Sequence, residues 1–351
     1  ISGEYKTVSL AAEIPLFVST DAILHILHIT YADMLRVAEK ESFYGQLSSM
    51  LGALRIAAEN ECFSINASLY PSTRAALEKV LVFALVADTL IRGETSAPLT
   101  GITAVDQEVT ASLSGIYLCA TPAPGGQDFT VYEPRGHYAS DVNLSNYFRA
   151  VTWFHEYDFA SDIEIECRAA AILGYILSDN DAVKTPWQLM EGFLTEVSGA
   201  PGEHTPADID TAMATLFTDT YPQQKYLLLE DTANLALLAD ELGILSANND
   251  SPKENTTRFM GTHKGIDIGI LYETVHEKVK DRYLPKGLDV ASTLFKSPSA
   301  MEALSDEINL YSESPSLYDA LIALDAKFDV WEGTQSWDSV HDMILHALRI
   351  L

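Results

Sequence analysis

The sequence predicts an all-α fold: an array or ring of antiparallel helix hairpins with one long ordered loop near 120–142. Three observations predict it. Apolar residues recur at helical spacing through most of the chain. Strand-like alternation is confined to "IPLFVST" at 14–20 and "QDFTVYEP" at 127–134, too little to build a sheet. Most helical segments are joined by short connectors, which favours antiparallel neighbours.

The periodicity places helices at 20–40, 43–62, 72–93, 104–119, 143–155, 163–178, 185–197, 206–218, 225–243, 267–280, 299–309, 315–329 and 336–350. "YPSTRAALEKVL" offers Ser72 or Thr73 as a cap before an apolar run. "HTPADIDTAM" pairs the cap Thr205 with Pro206 at the first helical position. In "DELGIL", Gly243 stands where a helix should stop. Three connectors interrupt the series: 120–142, which carries Phe129, Tyr132 and Tyr138, the short break 198–206, and the polar stretch 246–258. No fixed-period repeat is visible. The organisation expected is one large helical domain over 1–351, with a sub-boundary at the polar connector 246–258. "VHDMILHALRIL" is still in helical phase at Leu351, so the native protein is expected to continue.

Composition narrows the function classes. The net charge is −28, from 50 acidic against 22 basic residues. A nucleic-acid partner is therefore not expected, because phosphate binding needs a basic footprint. No run of about 18 apolar residues occurs, so no transmembrane segment is expected. The chain begins at Ile1, so any signal peptide would already be gone. Cys62, Cys119 and Cys167 are far apart and odd in number, which leaves a thiolate zinc site without support. Sequons at Asn66, Asn143, Asn249 and Asn255 hint at an extracellular address.

The candidate site begins at "STDAILHILHITYADML". On a wheel of about 100° per residue with Asp21 at zero, His25 falls near +40°, His28 near −20°, Arg36 near +60° and Glu39 near zero. The rest of the helix is mostly apolar, so it should be buried on most sides, with this polar stripe facing an internal polar cavity or another chain segment. Asp, His and His at i, i+4 and i+7 suit a divalent metal ion such as zinc, and three ligands leave a fourth position open. The same residues also suit a purely structural role: Asp21 as a cap, His25 as its partner one turn on, and His28 as a hydrogen-bonded core histidine. In "EPRGHYASD", Arg135 and His137 precede a helix start that could seat an anion, with Glu133, Tyr138 and Asp141 close by. The bland alternative is a loop tied down by Arg–carboxylate pairs. "WFHEYDF" adds His155 and Asp158, and the last helix carries Asp338, His341, Asp342 and His346. The chain has no Walker loop, dinucleotide fingerprint, nucleophile elbow or EF-hand loop. No strand signal leads into the glycines of "RFMGTHKGIDIG".

Five stretches, "PLFVSTDAILHILH", "PRGHYASDVNLSNYFRAVTWF", "RFMGTHKGIDIGILYE", "LPKGLDVASTLF" and "SWDSVHDMILHALRIL", together resemble the uncharacterised domain-of-unknown-function family 3160. They occur in that family's order and span nearly the whole chain. The resemblance implies a mainly helical bacterial or archaeal protein, often exported or envelope-associated, with no assigned activity. It also implies a Gln after "RFMG", where this chain has Thr262.

Two main readings follow. In the first, an exported or envelope-associated helical protein holds a polar or metal-binding cavity lined by Asp21, His25 and His28, with Arg135 and His137, and uses a metal-activated water for hydrolysis. In the alternative, the protein is a non-catalytic envelope scaffold or binding module whose polar networks are structural. A third reading makes the 120–142 loop the lid of a small-molecule site. The partner is then a small molecule, a protein or a glycan. The envelope address rests on the resemblance and the sequons, and leaves a cytoplasmic one open.

Overall fold

The computed structural model describes residues 20–120, 128–247, 254–263, 265–275, 278–334, 339–340 and 343–345. It is mainly helical, with 72% helix and 3% strand. Helix α1 (Thr20–Ala38) runs through a π turn (Glu39–Phe43) into α2 (Tyr44–Ser64). Then come α3 (Pro71–Arg92), α4 (Thr103–Leu118), α5 (Val142–Glu156), α6 (Glu164–Asp179), α7 (Asp181–Ser198) and α8 (Pro206–Leu216). The chain continues as α9 (Lys225–Glu230), α10 (Thr232–Ala247), α11 (Ile266–Glu273) and α12 (Gly287–Thr293). It closes with α13 (Pro298–Ala303), α14 (Ser305–Leu310) and α15 (Leu317–Thr334).

Helix α3 is the centre of the body. Its residues Val80 to Ile91 are all buried, and α2, α4, α5 and α6 pack around it. Phe83 anchors an aromatic cluster with Trp153, Phe154, Tyr157, Phe159 and Phe259, at ring separations of 5.3 to 6.2 Å. Burying each such ring is worth about 1.5–3 kcal/mol. Pro71 opens α3, but its cap comes from a distance. The Glu230 carboxylate accepts from the backbone N–H of Ser72 (3.0 Å) and Thr73 (2.9 Å), and from the Thr73 hydroxyl. Gly93 ends the helix at φ +70°, and Glu94 N–H donates back to the Thr89 carbonyl. Gly174 on α6 lets α8 approach: a Cβ there would lie 2.7 Å from the Pro206 carbonyl oxygen. Thr205 caps α8 ahead of Pro206 as expected, and it forms a capping box with Asp208.

Several expectations are corrected. The expected 225–243 helix breaks at Asp231, whose carboxylate caps α10 through Ala233 N–H (3.0 Å). Gly243 does not stop that helix, which runs on to Ala247. The expected 299–309 helix breaks into α13 and α14, α11 ends at Glu273, and α12 was not anticipated. The stretch 127–134 holds a 3-10 turn, Phe129–Tyr132, with Tyr132 fully buried. A small sheet does form. Strands β1 (Phe159–Ala160), β2 (Glu203–His204) and β3 (Glu254–Thr257) lie in the order β1-β3-β2, antiparallel on one side of β3 and parallel on the other. Strands this short show no usable alternation. They thread the end of the polar connector into the body.

Among the described residues the apolar core falls into three clusters. The large one runs from Phe43 to Met260. Two small ones belong to the helices that follow: one includes Ile270, Leu294 and Leu324, the other Val279, Leu304 and Leu321. Cys62 and Cys167 are free and buried, and burial pushes both thiols up to about 11. No described helix is long and apolar enough to cross a membrane.

Candidate functional site

Helix α1 differs from the sequence expectation. Its side chains Ile26, Ile29, Met34 and Val37 are 38–52% exposed, so this length of the helix is not buried on most sides. Tyr31 ties it to α7 through the Ser198 hydroxyl at 2.9 Å. Of the metal candidates, His25 is exposed, while the side chains of Asp21 and His28 lie outside those described. Arg36 pairs with Asp33 (2.6 Å) within its own helix. Asp338, His341, Asp342 and His346 lie outside the described residues. Among the described residues, no group of three or more His, Cys, Asp or Glu is placed to hold a metal ion.

The far end of the predicted stripe does meet the loop motif. The π turn closes with Tyr44 N–H donating to the Glu39 carbonyl, a five-residue spacing. It sends Phe43 into the core, edge-on to Phe193 at 5.1 Å. Glu39 points the other way, toward the second 3-10 turn of the long loop, Gly136–Ser140. There the Tyr138 hydroxyl donates to Glu39 Oε1 at 2.7 Å, and His137 Nε2 lies 3.3 Å from Oε2. Burial holds the Glu39 carboxyl above its ordinary range, and the bonds from Tyr138 and His137 offset part of that rise. Burial and the Glu39 charge raise the phenols of Tyr138 and Tyr147. Arg135 is exposed and was expected to join an anion seat at the start of α5. That start is already occupied. Asp141 accepts from the N–H groups of Asn143 (2.9 Å) and Leu144 (3.3 Å), and Lys40 holds Asp141 at 2.7 Å. His28 and Glu39 are eleven residues apart, about 16 Å along a helix, so the candidate ligands Asp21, His25 and His28 do not belong to this corner.

A second cluster was not found from the sequence. It gathers where α7, the sheet and the "RFMGTH" stretch meet. Arg258 Nε donates to Asp158 (2.6 Å), its Nη1 donates to the Thr262 hydroxyl (2.7 Å), and Nη1 lies 3.3 Å from Glu203 Oε1. Thr262 N–H donates to Glu203 Oε2 at 2.8 Å. Thr262, standing where the resemblance implies Gln, thus joins this network with both its backbone and its hydroxyl. His263 Nδ1 faces the Gly199 carbonyl at 2.6 Å, and its Nε2 lies 3.1 Å from Glu191 Oε1. His155 is driven down to about 4 by burial and by the nearby charges of Arg258 and His263. The residues come from five segments, and no local motif spans them. The available signal was the pairing of His155 and Asp158 in one quoted stretch with Arg258 and His263 in another.

A third network binds the C-terminal helices. Arg282 is fully buried and donates to the Thr274 carbonyl (2.7 Å), to both oxygens of Asp289 (2.8 and 3.0 Å) and to Glu307 (2.9 Å).

A family model described as "Protein of unknown function (DUF3160)" matches residues 4–351, and the chain belongs to that family. No curated protein and no solved structure matches the chain.

Proposed function

We propose that this member of the DUF3160 family is a non-catalytic binding or scaffold module of the cell envelope, built from antiparallel helix hairpins around α3. The observation that carries the reading is the corner at Glu39. The stripe carboxylate and the "PRGHY" loop, which from sequence could have formed a reactive site, are spent on each other as a tie between helix and loop. The packing of α2 on α3, α3 on α4 and α6 on α7, each pair adjacent in sequence, supports the hairpin arrangement. The exposed sequon residues Asn66, Asn143 and Asn255 support an address where a glycan could be attached. A single domain over 1–351 is retained, with a sub-boundary near the connector 246–258, supported by the separate small cores beyond Met260. The test is thermal and denaturant unfolding of Glu39→Ala and His137→Ala. The reading expects both to lose stability, by about 1–3 kcal/mol for a partner left unmet. Two variants that melt like the parent would end it.

A second reading stands on its own observation. Helix α1 is continuous from Thr20 to Ala38, which keeps Asp21, His25 and His28 on one side, and His25 is exposed. Under this reading the three bind a divalent ion such as zinc, whose activated water could support hydrolysis. Elemental analysis of chelator-free protein and thermal shifts with zinc, manganese and nickel decide it. Bound metal that disappears in His25→Ala supports the reading. No bound metal and no shift would exclude it.

A further inference from the structure

We propose that the Glu191–His263 pair is a proton-operated latch, which fastens the chain entering the C-terminal helices onto the body when His263 is charged and loosens it when that proton leaves. The geometry carries the proposal. A carbonyl oxygen can only accept, so the 2.6 Å contact with Gly199 requires a proton on Nδ1. The other nitrogen, Nε2, lies 3.1 Å from a Glu191 carboxylate oxygen, an ion-pair distance without hydrogen-bond alignment. Among the described residues neither Nε2 nor the Glu191 carboxylate has another partner, so with one proton held on Nδ1 only the imidazolium supplies the charge that this buried carboxylate pairs with. The pair is secluded, with 5% of the His263 side chain and 9% of the Glu191 side chain exposed.

The position of the pair gives it leverage. Strand β3 and the following residues are held to the body by the sheet, by Arg258, and by the Trp187 indole donating to the Phe259 carbonyl (2.7 Å). His263 is the last such tie described before α11 begins at Ile266, and the apolar side chains of that helix belong to a different cluster. The latch therefore sits where the chain leaves one core for another.

The charged neighbours set the direction. Glu191 comes from α7, Glu203 from β2, Arg258 from the end of β3 and His155 from α5. The Arg258 charge is met by Asp158 and Glu203. Burial opposes the imidazolium, but Glu191, the Gly199 carbonyl and Glu203 outweigh it and hold His263 above 6.5. For a histidine raised in the folded state, the stabilisation is fully present below 6.5 and is lost as pH rises through the folded value. Past that point Nε2 turns a lone pair toward a buried carboxylate, and Glu191 is left without its countercharge.

The test combines two measurements on the full chain and its Glu191→Gln variant. Histidine NMR, with His263→Gln used to assign the resonance, gives the His263 titration. Hydrogen-exchange mass spectrometry follows residues 258–263 from pH 6 to 9, corrected for intrinsic rates. The latch predicts a His263 titration above 6.5 in the parent. It also predicts an exchange rate that climbs roughly tenfold per unit of pKa difference recovered. In Glu191→Gln the titration should fall and the pH dependence should flatten. A titration below 6.5, flat exchange in the parent, or an unchanged profile in the variant would each overturn the proposal. Should Glu191→Gln fail to fold, the parent's titration and exchange decide alone.

Discussion

Asp289→Ala should undo the C-terminal helices while leaving the α3 core in place. Arg282 is buried to 0% exposure, and Asp289, equally buried, takes two of its hydrogen bonds. Asp289 also accepts from Lys286 N–H at 2.9 Å, capping α12, and from the Thr274 hydroxyl at 3.0 Å. Removing one partner of a buried ion pair costs about 3–5 kcal/mol, because the other charge stays buried without compensation. Losing the cap adds about 1 kcal/mol. Glu307 and the Thr274 carbonyl still hold Arg282, which keeps the total toward the lower end, about 4 kcal/mol. That is a large share of the roughly 5–15 kcal/mol that holds a domain folded. The cores beyond Met260 are small, so the loss should appear there as local opening. Native-state hydrogen exchange is the assay: protection should collapse over 266–334 and persist over α3. The double variant Arg282→Met/Asp289→Leu should recover most of the loss, since no charge is then stranded. A cost below about 1 kcal/mol for Asp289→Ala, or equal loss of protection over α3, would refute the reasoning.

Three further outcomes follow from the same structure. Gly93→Ala should cost about 1–2 kcal/mol for the left-handed backbone alone, and more because its Cβ would meet the Asn146 amide at 2.5 Å; urea midpoints measure this. Phe83→Ala should cost about 3–5 kcal/mol by opening the centre of the aromatic cluster, read from the same titrations. His25→Ala should stay within about 0.5 kcal/mol of the parent in metal-free buffer, because the side chain is exposed.

The legible part of the fold was the part set by local rules. Helix α3 announces itself through its apolar run, and α8 through Thr205–Pro206. The α3 cap was not legible, because its carboxylate arrives from Glu230, 157 residues beyond Thr73. Gly243 misled because a glycine inside an otherwise strong helix costs only about 1 kcal/mol, which neighbouring turns can absorb. The wheel placed Glu39 on the polar line, and His137 stood out in its loop. That the two meet depends on the π turn and on a contact across 98 residues. The exposure of α1 was also hidden, since periodicity reports which face is apolar and not what covers it. Arg282 and Glu191 gave no warning at all. A buried charge reads like a surface one until its partner is known.

The central claim is that the Glu39 corner is a structural tie, and a double-mutant cycle tests it most directly. Glu39→Gln, Tyr138→Phe and the double variant are compared by urea unfolding at pH 7, with Glu39→Gln/His137→Ala as a second cycle. The account predicts a coupling of about 1–2 kcal/mol between Glu39 and Tyr138, the worth of a charge-assisted bond at 2.7 Å. Because burial raises Glu39 above its ordinary 4.5, the carboxyl's own contribution to stability should fall as pH rises through its folded value, a dependence that Glu39→Gln removes. Coupling indistinguishable from zero in both cycles would contradict the claim.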